Sequence, residues 1–201
     1  MGLGALKMWS LGLLNKEFPR YEYQKIRWKK SGKSNEQLAM QIEALCQGLA
    51  NASFLAIPIF LVFASPLTTI SFLEIFGFIL FALALIFETV AGYQKILFLQ
   101  KMKRLNKRNM VCDVGLWRYT RHPNYFGEII LWTGISIIAL PTMEGLKFVV
   151  LISPIFVYVL LTKISGIPML EKSSDIKWKN DPSYIEYKKN TPVLFLKKPN
   201  L

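Results

Sequence analysis

A run of polar and ionisable residues, 115–128, stands directly before a strongly apolar stretch, 129–140. The run holds two arginines, two tyrosines, an asparagine, a carboxylate and the single histidine of the chain. Ionisable side chains are costly at the edge of a lipid phase, and a cluster of them there commonly binds a ligand. This run is therefore the first candidate for a functional site.

The residue order inside the run predicts that a helix begins within it. Pro123 suits the first turn of a helix, because its missing N–H is not needed there, and Thr120 or His122 is placed to cap that turn. Asn124 and Glu128 are four residues apart, so they would share one face near the start of the helix.

Two arginines, Arg118 and Arg121, precede this predicted helix. Helix N-termini favour anions through unpaired N–H groups and the helix dipole, and guanidinium groups add bidentate recognition of phosphate. A phosphate-bearing ligand therefore suits this position. In the alternative interpretation the two arginines extend toward lipid headgroups, while Asn124 and Glu128 satisfy each other inside a helix bundle.

The apolar residues of the chain are gathered in blocks rather than placed at amphipathic spacing. The chain has 201 residues, of which 52% are hydrophobic, and a formal net charge of +12. Since a spanning helix needs roughly 20 mostly apolar residues, four blocks predict an all-α integral membrane bundle with four transmembrane helices. These blocks are residues 45–64, 70–91, 125–140 and 146–161. The opening stretch, 1–14, is predicted to be neither a signal peptide nor a span.

The basic residues are concentrated in three segments, which lie before the first predicted span, between the second and the third, and after the fourth. With four spans these segments lie on one face of the membrane, and the positive-inside rule makes that face cytosolic. Basic segments also attract anionic lipids, so membrane lipids are expected partners, whereas no nucleic-acid-binding motif accompanies the charge. The sequence predicts one multi-pass membrane domain, 1–201, made of a basic cytosolic segment 1–36, a bundle 37–168 with a cytosolic loop 95–124, and a cytosolic tail 169–201.

Two further carboxylates can meet the arginine-containing run at the cytosolic face. Glu88 lies near the end of the second predicted span, and Glu171 follows the fourth. The two carboxylates and the run would then line one cavity that opens to the cytosol. No metal is expected, because Cys46 and Cys112 lack paired spacing and no second ligand accompanies His122.

Three blocks of sequence together resemble one family of membrane proteins. They are RYTRHPNYFGE at 118–128, SGIPMLEK at 165–172 and DPSYIEYKKNTPVLF at 181–195. They are similar to the steroid 5-alpha-reductase C-terminal type of membrane protein, in particular to the branch called DUF1295. The resemblance extends from about Phe18 to Pro199. The RHPNY core by itself also resembles sterol reductases and isoprenylcysteine carboxyl methyltransferases.

The resemblance implies a membrane-bound oxidoreductase that uses NADPH. Such an enzyme would reduce an activated C=C bond of a lipophilic, steroid-, sterol- or lipid-like substrate by hydride transfer. It also implies the endoplasmic reticulum of a eukaryote or the inner membrane of a bacterium. The candidate catalytic residues are Tyr125 and Glu128. The candidate cofactor-binding residues are Arg118, Arg121, His122, Asn124, Glu88, Glu171, Tyr184, Tyr187 and Lys188.

Two departures from the family pattern keep other functions open. Family members usually have additional spans before the segment that resembles FPRYEYQK at 18–25, so these N-terminal spans are expected to be missing here. Gly92 stands where the family usually has an aspartate. The alternatives are an S-adenosylmethionine-dependent membrane methyltransferase and a non-catalytic or truncated membrane paralogue. Tyr184 and Tyr187 also suit an ordinary interfacial position.

Overall fold

The computed structural model describes residues 28–29, 32, 36–64, 69–107, 110–142 and 145–198. These residues form helices and turns, with no β-strand among them, which confirms the all-α prediction. The prediction for residues 1–14 lies outside the described part of the chain. The helices are α1 Glu36–Ala64, α2 Phe72–Arg104, α3 Pro123–Ala139, α4 Ile152–Val159, α5 Ile167–Lys177 and α6 Pro182–Asn190. Shorter elements are the 3-10 helices Gly115–Arg118, Leu140–Thr142 and Gly145–Leu151, and the π-helix Leu160–Ile164.

Two helical stretches among the described residues are long and apolar enough to cross a membrane. They are Phe72–Arg104 and Phe148–Lys177. In the most apolar part of each stretch, only 17% and 22% of the residues are buried inside the protein, so most of the apolar side chains face outward. Lipid tolerates such a surface and water does not, which indicates a membrane protein. Ala52–Ala64 is a shorter apolar helix, and the number of four spans stays a prediction.

Helix α2 begins with a capping box formed by Ser71 and Glu74, and it extends beyond residues 70–91, which were predicted to span the membrane. The backbone N–H of Ser71 donates to Glu74 Oε2 at 2.6 Å, and the N–H of Glu74 donates to Ser71 Oγ at 3.3 Å. The helix then continues to Arg104, with basic residues in its last turn, where they complement the helix dipole. The first part of the predicted loop 95–124 is therefore helical, and this extension brings Gln94 and Lys95 toward the site.

Helices α2 and α3 share the most extensive contact in the fold. A Cβ atom on Gly77 would lie 2.8 Å from the carbonyl oxygen of Gly134, and one on Gly134 would lie 2.8 Å from the nitrogen of Phe81. The two backbones therefore touch directly, as small residues allow in membrane helices. At the other end of the contact, a Cβ on Gly127 would lie 3.0 Å from the Cβ of Glu88. This packing fixes the start of α3 against α2.

A break in the helix separates α4 from α5. The chain passes through the π-helix Leu160–Ile164 and then through Gly166, where a Cβ would lie 2.5 Å from the carbonyl oxygen of Leu161. Glycine is therefore required at this position by the close approach of the backbone. The break redirects the chain so that α5 brings Glu171 to the start of α3.

Candidate functional site

Glu171, in α5, is the centre of a group of charged side chains. Its Oε2 lies 3.0 Å from Arg121 Nη2, and its Oε1 lies 3.0 Å from His122 Nε2. Lys188 Nζ, from α6, lies 3.6 Å from Oε2. We call Arg121, His122, Glu171, Asp175, Tyr184 and Lys188 the Glu171 cluster. The structure thus brings Glu171 to the arginine-containing run, as the sequence predicted.

Arg121 is the most constrained side chain of the cluster, since only 9% of it is exposed. Its Nη1 donates a hydrogen bond to the carbonyl oxygen of Lys188 at 3.0 Å, and its backbone N–H donates to that of Pro192 at 2.9 Å. Its Nε is buried and has no hydrogen-bond partner among the described residues. A buried charged donor without an acceptor is costly, so this atom marks a place where an acceptor is missing.

His122 holds the N-cap position of α3, but its side chain does not cap the helix. The ring instead bonds to Glu171 and stacks on Tyr125, with the ring centres 5.6 Å apart. The prediction of a capping side chain at this position is therefore wrong, because the ring pairs with the Glu171 carboxylate. Burial lowers the pKa of His122, and this effect exceeds the opposing influence of Glu171. The ring is then neutral near pH 7 and donates through Nε2.

Thr120 connects the start of α3 to the end of the described chain. Its fully buried hydroxyl donates to the carbonyl oxygen of Leu194 at 2.9 Å and accepts from the backbone N–H of His122 at 3.4 Å. The backbone N–H of Lys197 donates to the carbonyl oxygen of Tyr119 at 3.0 Å. The segment after α6 therefore packs against the residues that precede α3.

Asp175 extends the cluster by one helical turn of α5. The hydroxyl of Tyr184 donates to Asp175 Oδ1 at 2.6 Å, and Lys188 Nζ pairs with the same oxygen. Burial raises the pKa of Tyr184, and the Asp175 charge raises it further, so this phenol stays protonated and donates. Tyr184 and Lys188, both predicted site residues, therefore hold α6 against α5.

Tyr187 connects α6 to the 3-10 helix Gly115–Arg118. Its hydroxyl donates to the carbonyl oxygen of Trp117 at 2.7 Å, and Trp117 Nε1 donates to that of Ala91 in α2 at 2.9 Å. Burial raises the pKa of Tyr187, so it also remains a donor. Gln94 Oε1 accepts from the backbone N–H of Leu116 at 2.8 Å. Tyr187 therefore positions the site rather than pointing into the Glu171 cluster.

The remaining predicted site residues lie outside the Glu171 cluster. Arg118 is exposed, and its Nε donates to the carbonyl oxygen of Asp113 at 2.8 Å. Asn124 and Glu128 are half-buried in α3, and Glu88 packs against Gly127 at the α2–α3 contact. In the described part of the chain, no hydrogen bond or ion pair joins Arg118 or Glu88 to the cluster. The single cavity that was expected to join Glu88, the run and Glu171 stays a prediction.

Sequence reasoning missed four residues that build the site. Asp175 had a usable signal, because it lies four residues after Glu171 and shares its helix face. Thr120 was considered only as a cap. Trp117 and Gln94 gave no signal, since their hydrogen bonds join segments that are distant in the sequence.

One donor of the cluster is left for an anion. The charges of Arg121 and Lys188 are balanced by Glu171 and Asp175, and the His122 ring and the Tyr184 hydroxyl already donate to these carboxylates. Arg121 Nε has no acceptor among the described residues, and a phosphate oxygen is an acceptor that a guanidinium binds well. Among the described residues, no three His, Cys, Asp or Glu side chains are arranged to hold a metal ion.

Comparison with known proteins identifies a family without an assigned activity. The family model described as "Protein of unknown function (DUF1295)" matches residues 6–191. Neither the curated proteins nor the solved structures contain a match to this chain.

Proposed function

The chain belongs to the DUF1295 family, and we propose that it is a membrane-bound, NADPH-dependent oxidoreductase. Its reaction would be reduction of an activated C=C bond in a lipophilic substrate. The observation that carries this proposal is the buried Nε of Arg121, which has no acceptor within the described part of the chain and belongs to the same cluster as His122 and Lys188. An anionic cofactor would supply the acceptor.

The residues of the cluster fit a dinucleotide phosphate. Glu171 and the carbonyl oxygen of Lys188 hold the two terminal nitrogens of Arg121, so the guanidinium is already oriented before a ligand arrives. Pre-orientation of this kind reduces the entropy that binding costs. Arg121 and His122 would hold the phosphates and the ribose, and Tyr184 and Lys188 would lie on the adenosine side.

NADPH, when bound, supplies the hydride, and the protein orients the reactants, excludes water and delivers a proton. Tyr125 is our candidate for the proton donor, because its ring is stacked on His122 at the start of α3. Glu128, three residues further along α3, is the second candidate. The outer surface of the candidate spans is apolar, and such a surface suits delivery of a lipophilic substrate from the membrane.

The charges of the cluster do not separate the reductase from a methyltransferase, because Glu171 and Asp175 balance Arg121 and Lys188. Binding of NADPH or of S-adenosylmethionine decides between these two functions. The replacement of the family's aspartate by Gly92 argued for a non-catalytic protein. A Cβ on Gly92 would meet no heavy atom within 4 Å, so packing does not exclude a carboxylate at this position.

The reaction is tested with the full chain reconstituted in lipid and a panel of α,β-unsaturated lipids. NADPH carrying deuterium at the transferable position of the nicotinamide should give product with deuterium on the β carbon and a solvent-derived proton on the α carbon. Tyr125→Phe removes the proposed proton donor. We expect turnover to fall by about 10²-fold or more, with NADPH binding unchanged. Product without deuterium would contradict the proposal.

A further inference from the structure

The part of the chain from the start of α5 onward, which includes the last turns of the candidate stretch Phe148–Lys177, exposes both positive charge and large apolar side chains. Residues 167–198 contain seven lysines and four carboxylates. In the same part Ile176 is 67% exposed, Ile185 is 55% exposed and Phe195 is 66% exposed. None of the three lies in a stretch that the sequence predicted to span the membrane. Apolar groups beside lysines are typical of a surface that lies in a lipid headgroup layer.

An open groove between α5 and α6 concentrates these features. It has a volume of about 400 Å³ and is lined by Asp175, Lys179, Tyr184, Ile185, Lys188 and Lys189. Lys188 is neutralised by Asp175 and Glu171. Lys179 and Lys189 have no ion-pair partner among the described residues. The groove therefore carries two uncompensated positive charges.

The apolar and charged groups of the groove are placed together. Ile185 and Lys189 are four residues apart in α6 and share one helix face, and Lys179 borders the same groove from the α5 side. A ligand in the groove would therefore border two lysines and one exposed isoleucine. The headgroup and glycerol region of a phospholipid has this combination of charge and apolar surface.

The connection to the candidate span keeps this groove close to the membrane. Helix α5 follows α4 with only the π-helix and a two-residue break between them, and it has 11 residues. Eleven helical residues extend over about 16 Å, so the far end of α5 remains near the membrane surface. The groove lies at this far end, where α5 turns into α6.

We propose that the groove between α5 and α6 binds the phosphate-bearing headgroup of an anionic phospholipid. Lys179 and Lys189 contact the phosphate, and Ile185 and Ile176 rest on the glycerol and acyl boundary. Helices α5 and α6 then lie on the surface of the membrane that the candidate spans enter. The groove shares Tyr184 and Lys188 with the Glu171 cluster, so it adjoins the proposed adenosine side of the NADPH site, but its lipid contacts do not require NADPH to bind. A nucleotide phosphate shares part of the chemistry, but it has no apolar chain to cover the two isoleucines.

The proposal is tested with the full chain in lipid nanodiscs. An environment-sensitive fluorophore is attached at Ile185→Cys, and in a second sample at Ile176→Cys, with Cys46 and Cys112 replaced by serine. The nanodiscs contain phosphatidylcholine alone or with added phosphatidylserine, and a nitroxide-labelled lipid serves as the quencher. We expect phosphatidylserine to shift the emission to the blue and to increase quenching at both positions.

A double variant identifies the lysines that carry the effect. Each lysine near an anionic surface contributes about 1 kcal/mol, or roughly fivefold in binding. Lys179→Gln with Lys189→Gln should therefore weaken the dependence on phosphatidylserine by about 25-fold. The matched control is Lys101→Gln with Lys103→Gln, two exposed lysines in the last turn of α2, which should leave that dependence unchanged.

Three outcomes would overturn the lipid site. The first is equal quenching with and without phosphatidylserine. The second is that Lys101→Gln with Lys103→Gln weakens the dependence on phosphatidylserine as much as Lys179→Gln with Lys189→Gln does. The third is loss of the phosphatidylserine-dependent quenching when NADPH is added, because the groove would then belong to the nucleotide. Failure of NADPH to bind elsewhere on the protein leaves the lipid result unaffected, so the two proposals fail separately.

Discussion

At the scale of single residues, one carboxylate organises the candidate site. Glu171 contacts Arg121, His122 and Lys188, which come from two different parts of the chain. The sequence predicted that Glu171 and the arginines would meet, because each was a charged group at the end of an apolar block. It could not predict the pairing of His122 with Glu171 in place of a helix cap. The pairing of His122 with Glu171 depends on the helix break at Gly166, which directs α5 toward the start of α3.

Glu171→Gln removes the charge and keeps the shape of the side chain. Arg121, which is only 9% exposed, then loses its carboxylate partner. Breaking a largely buried ion pair on one side costs about 3 kcal/mol. We expect a clear fall in the melting temperature of the detergent-purified protein. Glu186→Gln, at an exposed position of α6, is the control and should melt like the parent protein. Equal melting of Glu171→Gln would mean that the cluster does not hold the fold.

His122 makes the stability depend on pH. Burial lowers its pKa from the usual 6.5, so the unfolded chain takes up a proton before the folded one does. The stabilisation is fully present above that usual value and is lost as the pH falls through the lower folded pKa. Because the chain has a single histidine, His122→Gln isolates the effect.

The measurement is the melting temperature between about pH 7 and pH 5, above the range in which most carboxylates titrate. The parent protein should lose stability across this range, and His122→Gln should lose less. A parent protein that loses no more stability than His122→Gln across this range would contradict the lowered pKa of His122.

At the scale of helices, the start of α3 is placed by its contact with α2. The sequence predicted the helix start at Pro123 correctly, because proline at the first helical position is a local signal. It did not predict the direct backbone contact at Gly77 and Gly134, because that contact joins residues far apart in the chain. The extension of α2 to Arg104 was also missed, because Gln94 and Lys95 interrupt the apolar run and the last turn is basic.

The glycines of α2 give a matched pair of substitutions. Gly92→Ala adds a methyl group that meets no heavy atom within 4 Å, and it should raise the free energy of unfolding by about 1 kcal/mol through helix propensity. Gly77→Ala places the same group 2.8 Å from the carbonyl oxygen of Gly134, and overpacking should lower that free energy by about 2 kcal/mol. Melting in detergent measures both. Equal effects of the two substitutions would contradict the α2–α3 contact.

At the scale of the whole molecule, the composition predicted the all-α class and the membrane character. Long apolar blocks are visible in any sequence, and the structure has two helical stretches that can cross a membrane. The arrangement of α5, α6 and the segment after them was beyond sequence reasoning. It depends on hydrogen bonds such as those from Thr120 to Leu194 and from Tyr187 to Trp117, which join residues 70 or more positions apart. These contacts assemble the site from the end of the chain.

Calorimetric binding of NADPH to the detergent-purified protein tests directly whether this assembly forms a dinucleotide site around Arg121. Arg121→Lys keeps the charge but removes the guanidinium, and loss of its charge-assisted hydrogen bonds should weaken binding by about 10-fold to 100-fold. Arg104→Lys, at the exposed end of α2, is the control and should bind like the parent protein. Saturable NADPH binding that weakens only in Arg121→Lys is the predicted result. Absence of NADPH binding, or binding of S-adenosylmethionine in its place, would contradict it.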